Sequence, residues 1–275
     1  MKGIWAILIF TFGCSEIFAN TKPANTSPIY SFLQTDEAST ADLKEYEFFL
    51  TQLEKKKSQY AKEKDFLRHL FIKTHQKFLK EYQTESSFGE IFNTGKYNCL
   101  TGTALYALLL DHFHLNYTII EVNYHIFIVV KIDGEELLIE ATDPKEGFIE
   151  DSKKVADQLK KYQNTSRLAD DEGTVKYEFS FNLWNAVSLE ELAGLLYFNK
   201  AVHAYNSQNI AQAVSFLTKA GEYGTSPRIE EFSAILFLTI RESSLKSEEK
   251  NSLNHQLLVL QRRHASFNTA VVLSN

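Results

Sequence analysis

Residues 98–142 read NCLTGTALYALLLDHFHLNYTIIEVNYHIFIVVKIDGEELLIEAT and predict one helix followed by three strands. Apolar residues recur at helical spacing after Asn98, whose side-chain oxygen is a good N-cap for the free amides of a first turn. Three apolar runs typical of strands follow: 117–122, 125–132 and 135–142. Asp133-Gly134, between the last two, is a strong hairpin signal because both residue types tolerate positive φ. We therefore expect an α+β fold in which a helix precedes an antiparallel sheet.

The hairpin turn also predicts the pairing of the last two strands. Counting outward from Asp133-Gly134 places His125 opposite about position 142, next to Asp143. His125 opens one strand and Asp143 follows the other, so we expect the two residues to meet at one edge of the sheet.

Cys99 stands at the start of the predicted helix, and the chain contains only one other cysteine, Cys14. A free cysteine is a small hydrophobe that packs well, so burial alone would account for it. Cys99, His125 and Asp143 nevertheless carry a thiol, an imidazole and a carboxylate to a helix start, a strand start and a strand end. These groups are the components of a nucleophilic acyl-transfer site.

In such a site Cys99 attacks a carbonyl as a thiolate, which the positive end of a helix favours. His125 is the base and then the acid, and Asp143 orients its imidazole ring. The backbone amide of Cys99 or Leu100 is a candidate donor to the developing oxyanion. A second donor would come from one of two residues, Tyr97 or Asn98.

These residues resemble the transglutaminase-like superfamily of papain-fold cysteine enzymes. The similarity rests on Cys99 within YNCLTGTALY, His125 within YHIFIVV, and Asp143-Pro144, and it extends over about residues 85–145. One difference is Phe127, which stands where the family usually has tryptophan.

The resemblance implies a papain-like core over residues 40–185, with N-terminal helices and an antiparallel sheet. Its chemistry would be that of a cysteine peptidase or acyltransferase, forming a Cys99 thioester on a peptide or protein amide. Water or an amine would resolve that thioester, so hydrolysis and transfer both stay open. The alternative from another class is a catalytically inactive transglutaminase-like fold that serves as a protein-interaction module.

The N-terminus has the pattern of a secretory signal. Met1-Lys2 precedes an apolar run, and Ala19 is a plausible cleavage site, so we predict a signal peptide over 1–19 and a flexible leader over 20–39. Export would be periplasmic or secreted. The alternative is a membrane-anchored lipoprotein, because Thr11-Phe12-Gly13-Cys14 resembles a bacterial lipobox.

The last third of the chain, residues 186–275, predicts a helical extension. Ser188 and Glu191 form a capping-box signature, and small residues in the two helices that follow resemble a tetratricopeptide-like hairpin. Such a surface would offer a protein partner a docking site. Between the sheet and this extension we expect a helix near 155–162 and a strand over 175–181.

The composition argues against several functional classes. The net charge of −6 and the lack of a basic stripe with stacking aromatic residues disfavour nucleic-acid binding. We find no phosphate-binding glycine loop, no nucleotide motif and no metal-ligand spacing, so no cofactor or metal is expected. A membrane contact is expected only if Cys14 carries a lipid.

Overall fold

A computed structural model describes residues 28–36, 40–123, 125–164 and 183–273. The helices are α1 (Ile29–Leu33), α2 (Thr40–Lys57), α3 (Glu63–Lys77), α4 (Glu90–Asn93), α5 (Cys99–His112), α6 (Ser152–Asn164), α7 (Leu189–Asn206), α8 (Ile210–Ala220), α9 (Pro227–Glu242) and α10 (Ser247–Leu273). The strands are β1 (Glu81–Tyr82), β2 (Lys96–Tyr97), β3 (Asn116–Val122), β4 (His125–Ile132), β5 (Glu135–Ile139), β6 (Phe148–Ile149) and β7 (Trp184–Val187). The proposed signal peptide and the strand expected over 175–181 lie outside the described residues.

Among the described strands, five form one antiparallel sheet in the order β6-β5-β4-β3-β7. This confirms the α+β class. The β4–β5 hairpin turns at Asp133 and Gly134, whose φ angles of 52° and 82° are the positive values that the turn requires.

Strand β5 is shorter than predicted, since it ends at Ile139 and not at residue 142. The chain turns back over residues 140–147. The Glu140 amide donates to the Gly147 carbonyl at 2.8 Å, and the Gly147 amide donates to the Asp143 carbonyl at 2.9 Å. These two bonds close a compact turn directly after the strand.

The central strand β4 is covered on both faces, which explains its almost continuous apolar sequence. One set of alternating side chains, which includes Ile126 and Ile128, joins the main core together with α5. The other set, which includes Phe127 and Val129, packs in a smaller cluster with Val155 of α6. Helix α5 therefore lies on one face of the sheet and α6 on the other.

Part of the predicted flexible leader is ordered in the structure, which corrects that expectation for residues 28–36. Helix α1 buries Ile29, Phe32 and Leu33 in the main core. The hydroxyl of Tyr197 in α7 donates to the carbonyl of Gln34 at 3.3 Å. The apolar side chains of this short segment are removed from water, and their burial holds it in place.

Helices α7–α10 follow the sheet and share a second core. The Ser188 capping box begins α7 as predicted, and α7 and α8 form a hairpin. The first half of α7, with Leu192 and Leu196, packs in the main core, whereas Phe198 and Ala201 belong to the second core. One continuous helix therefore joins the two parts. No helix in the described parts of the chain combines the length and apolar character needed to cross a membrane.

Candidate active site

Helix α5 begins at Cys99, as its sequence predicts. The Asn98 side chain accepts a hydrogen bond from the Thr101 amide at 2.9 Å, and the Thr101 hydroxyl accepts one from the Asn98 amide at 2.9 Å. This reciprocal cap starts the helix at a defined residue. The partly exposed thiol of Cys99 is free and lies at the positive end of the helix dipole.

The prediction that Asn98 is an oxyanion donor is wrong, because its side-chain amide and its backbone amide already donate hydrogen bonds within the protein. Its side-chain amide donates to the carbonyls of Thr84 and Ser86 at 2.9 and 3.0 Å. The side-chain oxygen Oδ1 and the backbone amide of Asn98 are hydrogen-bonded to Thr101. Asn98 therefore fixes the loop beside the helix start.

Tyr97 is also part of the supporting structure. Its backbone lies in the bridge between β1 and β2, opposite Tyr82, and its ring is buried. The first-turn amides of a helix have no acceptor within the helix, and the cap satisfies that of Thr101. In the first turn of α5, the backbone N–H groups of Cys99 and Leu100 are therefore the donors that a ligand could use.

His125 is the first residue of β4 and pairs with Val122 across the sheet. Its imidazole is partly buried, and Nε2 is hydrogen-bonded to Oε2 of Glu140. Since Glu140 occupies Nε2, Nδ1 is the ring nitrogen available to Cys99. The carboxylate beside the imidazole is thus Glu140, a residue that sequence reasoning missed.

The prediction that Asp143 orients His125 is wrong. Asp143 Oδ1 accepts hydrogen bonds from the amides of Lys145 and Glu146, both at 2.9 Å. It therefore stabilises the turn after β5. The physical reason is that the chain leaves the strand direction at Glu140, so the pairing with β4 no longer extends to residue 143.

Glu140 is buried and fully hydrogen-bonded. Besides His125, Oε2 accepts from the Tyr162 hydroxyl at 2.6 Å, and Oε1 accepts from the amide and hydroxyl of Thr142 at 3.0 and 2.7 Å. Burial raises the pKa of Glu140, but the hydrogen bond and charge of His125, with the donors on Thr142 and Tyr162, bring that pKa below its ordinary value. The carboxylate is held ionised in one orientation.

The electrostatics of His125 follow from its two neighbours. Burial lowers its pKa, but hydrogen bonds to Cys99 and Glu140, together with their negative charges, raise the pKa of His125 to about 10. The imidazole is therefore protonated at neutral pH, between a thiol and a carboxylate.

Two tyrosines at the site were also missed by sequence reasoning. Tyr162 of α6 stacks on Phe127 with ring centroids 4.6 Å apart, and it lies 5.2 Å from the His125 ring. Tyr82 is half exposed; burial raises its pKa, and the nearby charges of Cys99 and Glu140 raise it further. Tyr82 and Tyr162 reach the site from elements that are distant from His125 in the sequence. Such contacts leave no local sequence pattern, so the sequence contains no signal for either tyrosine.

The strand alternation did contain a signal for Glu140. Side chains two residues apart point to the same face of a sheet, whereas neighbours point to opposite faces. If His125 faces about position 142, Glu140 shares its face and Asp143 does not. This parity argument favours Glu140 over Asp143.

The described site brings together a thiol at the start of α5, an imidazole at the start of β4 and a carboxylate, and the imidazole and carboxylate are hydrogen-bonded to each other. Comparisons with protein-family models, with curated proteins and with solved structures give no match. The functional interpretation therefore depends on the chemistry of Cys99, His125 and Glu140.

Proposed function

We propose that this chain is an exported, transglutaminase-like cysteine enzyme that acts on peptide or protein amides. The observation that carries the proposal is the position of His125: its Nε2 is hydrogen-bonded to Glu140, and Cys99 lies close enough to contribute to the raised pKa of the imidazole. A papain-like core is part of the proposal, and the helix start beside an antiparallel sheet supports it. Export is inferred from the N-terminal sequence alone.

The chemistry proceeds in two stages. Sγ of Cys99 forms a bond to the carbonyl carbon, and the resulting oxyanion accepts hydrogen bonds from the amides of Cys99 and Leu100. The His125 imidazolium gives its proton to the leaving amine as the C–N bond breaks, which leaves a thioester. Water or an amine then attacks the thioester while His125 takes its proton, and Cys99 leaves as the thiolate.

Glu140 has a supporting role in this scheme. Its Oε2 accepts from Nε2 of His125, so Nδ1 is presented to the sulfur and the imidazolium is stabilised in the resting state. Tyr162 and Thr142 hold the carboxylate in turn. The base is thus oriented by a residue that is itself fixed by three donors besides His125.

The test is the rate of iodoacetamide alkylation of Cys99 as a function of pH, read by mass spectrometry on the peptide containing Cys99. That readout excludes any signal from Cys14. An ion-paired thiolate reacts well below pH 8.5, about the pKa of a free thiol, and His125→Ala is expected to abolish this advantage. Lys64→Ala, a change in an exposed pair with Glu135, is the matched control and should leave the profile unchanged.

A profile that follows an ordinary thiol in both wild type and His125→Ala would overturn the enzyme proposal. The non-catalytic interaction module would then be the better interpretation. Incubation with peptide amides and amine donors afterwards separates hydrolysis from transfer, because only transfer incorporates the amine.

A further inference from the structure

We infer that the C-terminal helices position the proposed catalytic base through Arg228, which holds the backbone of Val122 and Asn123 at the end of β3, the strand that pairs with His125. This inference rests on the proposed function. Arg228 is the second residue of α9 and is buried. Its Nη2 donates to the carbonyls of Val122 and Asn123 at 2.6 and 2.8 Å. These residues lie more than a hundred positions away in the sequence.

The two carbonyls lie where they affect His125 most directly. Val122 is the last residue of β3 and pairs with His125, and two residues separate them in the chain. The Asn123 side chain accepts from the Leu183 amide at 2.5 Å, next to β7. The backbone at the end of β3 is therefore held by Arg228 of α9, and the Asn123 side chain is held by the residue that precedes β7.

The positive charge of Arg228 is paired with the carboxylate of Glu121, which lies in β3 next to Val122. Nε of Arg228 lies 2.5 Å from Oε1 of Glu121, and both side chains are buried. Such a pair adds little stability over apolar residues of similar volume, because both charges lose their hydration. The guanidinium fork, however, can contact a carboxylate and two carbonyls at once in a fixed geometry, which an apolar side chain cannot do.

The start of α9 directs Arg228 toward the sheet. The Ser226 hydroxyl accepts from the Arg228 amide at 3.3 Å, and Pro227 occupies the first helical position. The Ser226 cap and the fixed φ of Pro227 restrict the backbone conformation at the start of α9. The backbone from which the Arg228 side chain extends is therefore held in one position. The extension thus supports the end of β3, where Val122 pairs with His125.

The experiment uses the full chain and the same alkylation profile of Cys99. Removing Arg228 alone would strand the buried Glu121 charge, so the main variant is the double change Glu121→Leu and Arg228→Leu, which removes both charges together. We expect its alkylation rate near pH 6.5 to fall about tenfold or more toward that of His125→Ala, since small misplacements of a base are costly. Thermal unfolding and circular dichroism establish that the variant is folded.

Two further variants keep the test decisive. Ile229→Ala removes the buried neighbour of Arg228 in the second core, and it should lower the melting temperature without moving the pH profile. Arg228→Lys keeps the positive charge beside Glu121 and should fold, yet it lacks the fork and should slow alkylation about threefold or more. It takes the place of the double variant if that variant does not fold.

The outcomes separate the two proposals. If His125→Ala slows alkylation but folded Arg228 variants keep the wild-type profile, the positioning role is overturned and the proposed function stands. If His125→Ala itself leaves the profile unchanged, the proposed function is overturned. A shift in Ile229→Ala equal to that in the Arg228 variants would mean that general loosening, and not Arg228, controls His125, and would also overturn the inference.

Discussion

At the residue scale, the choice of carboxylate is the feature that most affects the chemistry. Glu140 and Asp143 are three residues apart, yet one contacts the imidazole and the other caps a turn. Glu140 is buried among donors, whereas Asp143 Oδ1 is satisfied by two backbone amides. The role of each carboxylate follows from its partners.

Glu140→Gln and Asp143→Ala should therefore change different properties, the first the reactivity of Cys99 and the second the stability of the fold. Glu140→Gln removes the charge that raises the pKa of His125, so alkylation of Cys99 near neutral pH should slow by about tenfold or more. Asp143→Ala should keep the alkylation profile and cost about 1 kcal/mol of stability from lost turn bonds. Alkylation rates and urea unfolding measure the two quantities. If Glu140→Gln left the alkylation rate of Cys99 unchanged and Asp143→Ala lowered it, Asp143 would be the orienting residue after all.

The raised pKa of His125 predicts a pH dependence of stability. The folded-state pKa of about 10 exceeds the ordinary value of 6.5, so the folded chain binds the proton more tightly than the unfolded chain. The resulting stabilisation is fully present below about pH 6.5 and is lost as the pH rises through about 10. His125→Ala should thus cost more free energy of unfolding at pH 6 than above pH 10, as urea titrations would measure. An equal cost at both pH values contradicts this prediction.

At the element scale, the turn over residues 140–147 determines where Glu140 points. A Cβ at Gly147 would overlap the carbonyl oxygens of Glu140 and Asp143, which are backbone atoms that cannot move aside. Gly147 also accepts from the Glu140 amide and donates to the Asp143 carbonyl. The absence of a side chain at Gly147 is therefore a condition for this turn.

Gly147→Ala should reduce stability by about 1–3 kcal/mol and also slow alkylation of Cys99, because the turn must open to accept the methyl group. Gly134→Ala is the matched control in the neighbouring hairpin. Its Cβ meets no atom within 4 Å, but its φ of +82° is strained for alanine, at a cost of about 1 kcal/mol. Chemical denaturation and alkylation should show two unstable variants, of which only Gly147→Ala has an altered site. An unaltered site in Gly147→Ala would separate the turn from the chemistry.

At the scale of the whole molecule, distant parts of the chain share the same cores. Helix α7 contributes to both hydrophobic cores, and Phe32 of α1 packs on Phe88 with ring centroids 5.3 Å apart. Arg228 joins α9 to the sheet. The C-terminal helices and the short N-terminal helix are therefore integral to the fold that surrounds Cys99.

Truncating Phe32 tests whether α1 belongs to the fold. Phe32→Ala empties a fully buried position in the main core and should cost about 3–5 kcal/mol of unfolding free energy. Tyr30→Ala, two residues away on the exposed side of α1, should stay within about 0.5 kcal/mol of wild type. Urea unfolding provides both values. Equal, small effects would show that α1 contributes nothing to stability.

Local patterns were enough to predict the start of α5 at Cys99, the Asp133-Gly134 turn and the strand that begins with His125. Each depends on a cap, a φ preference or an alternation among near neighbours, and those interactions act within a few residues. The contacts of Glu140 with Tyr162, of Gln34 with Tyr197 and of Arg228 with Val122 required the folded chain. They join segments from 22 to 163 residues apart, and which of many polar or apolar groups meet across such separations is set by packing and burial.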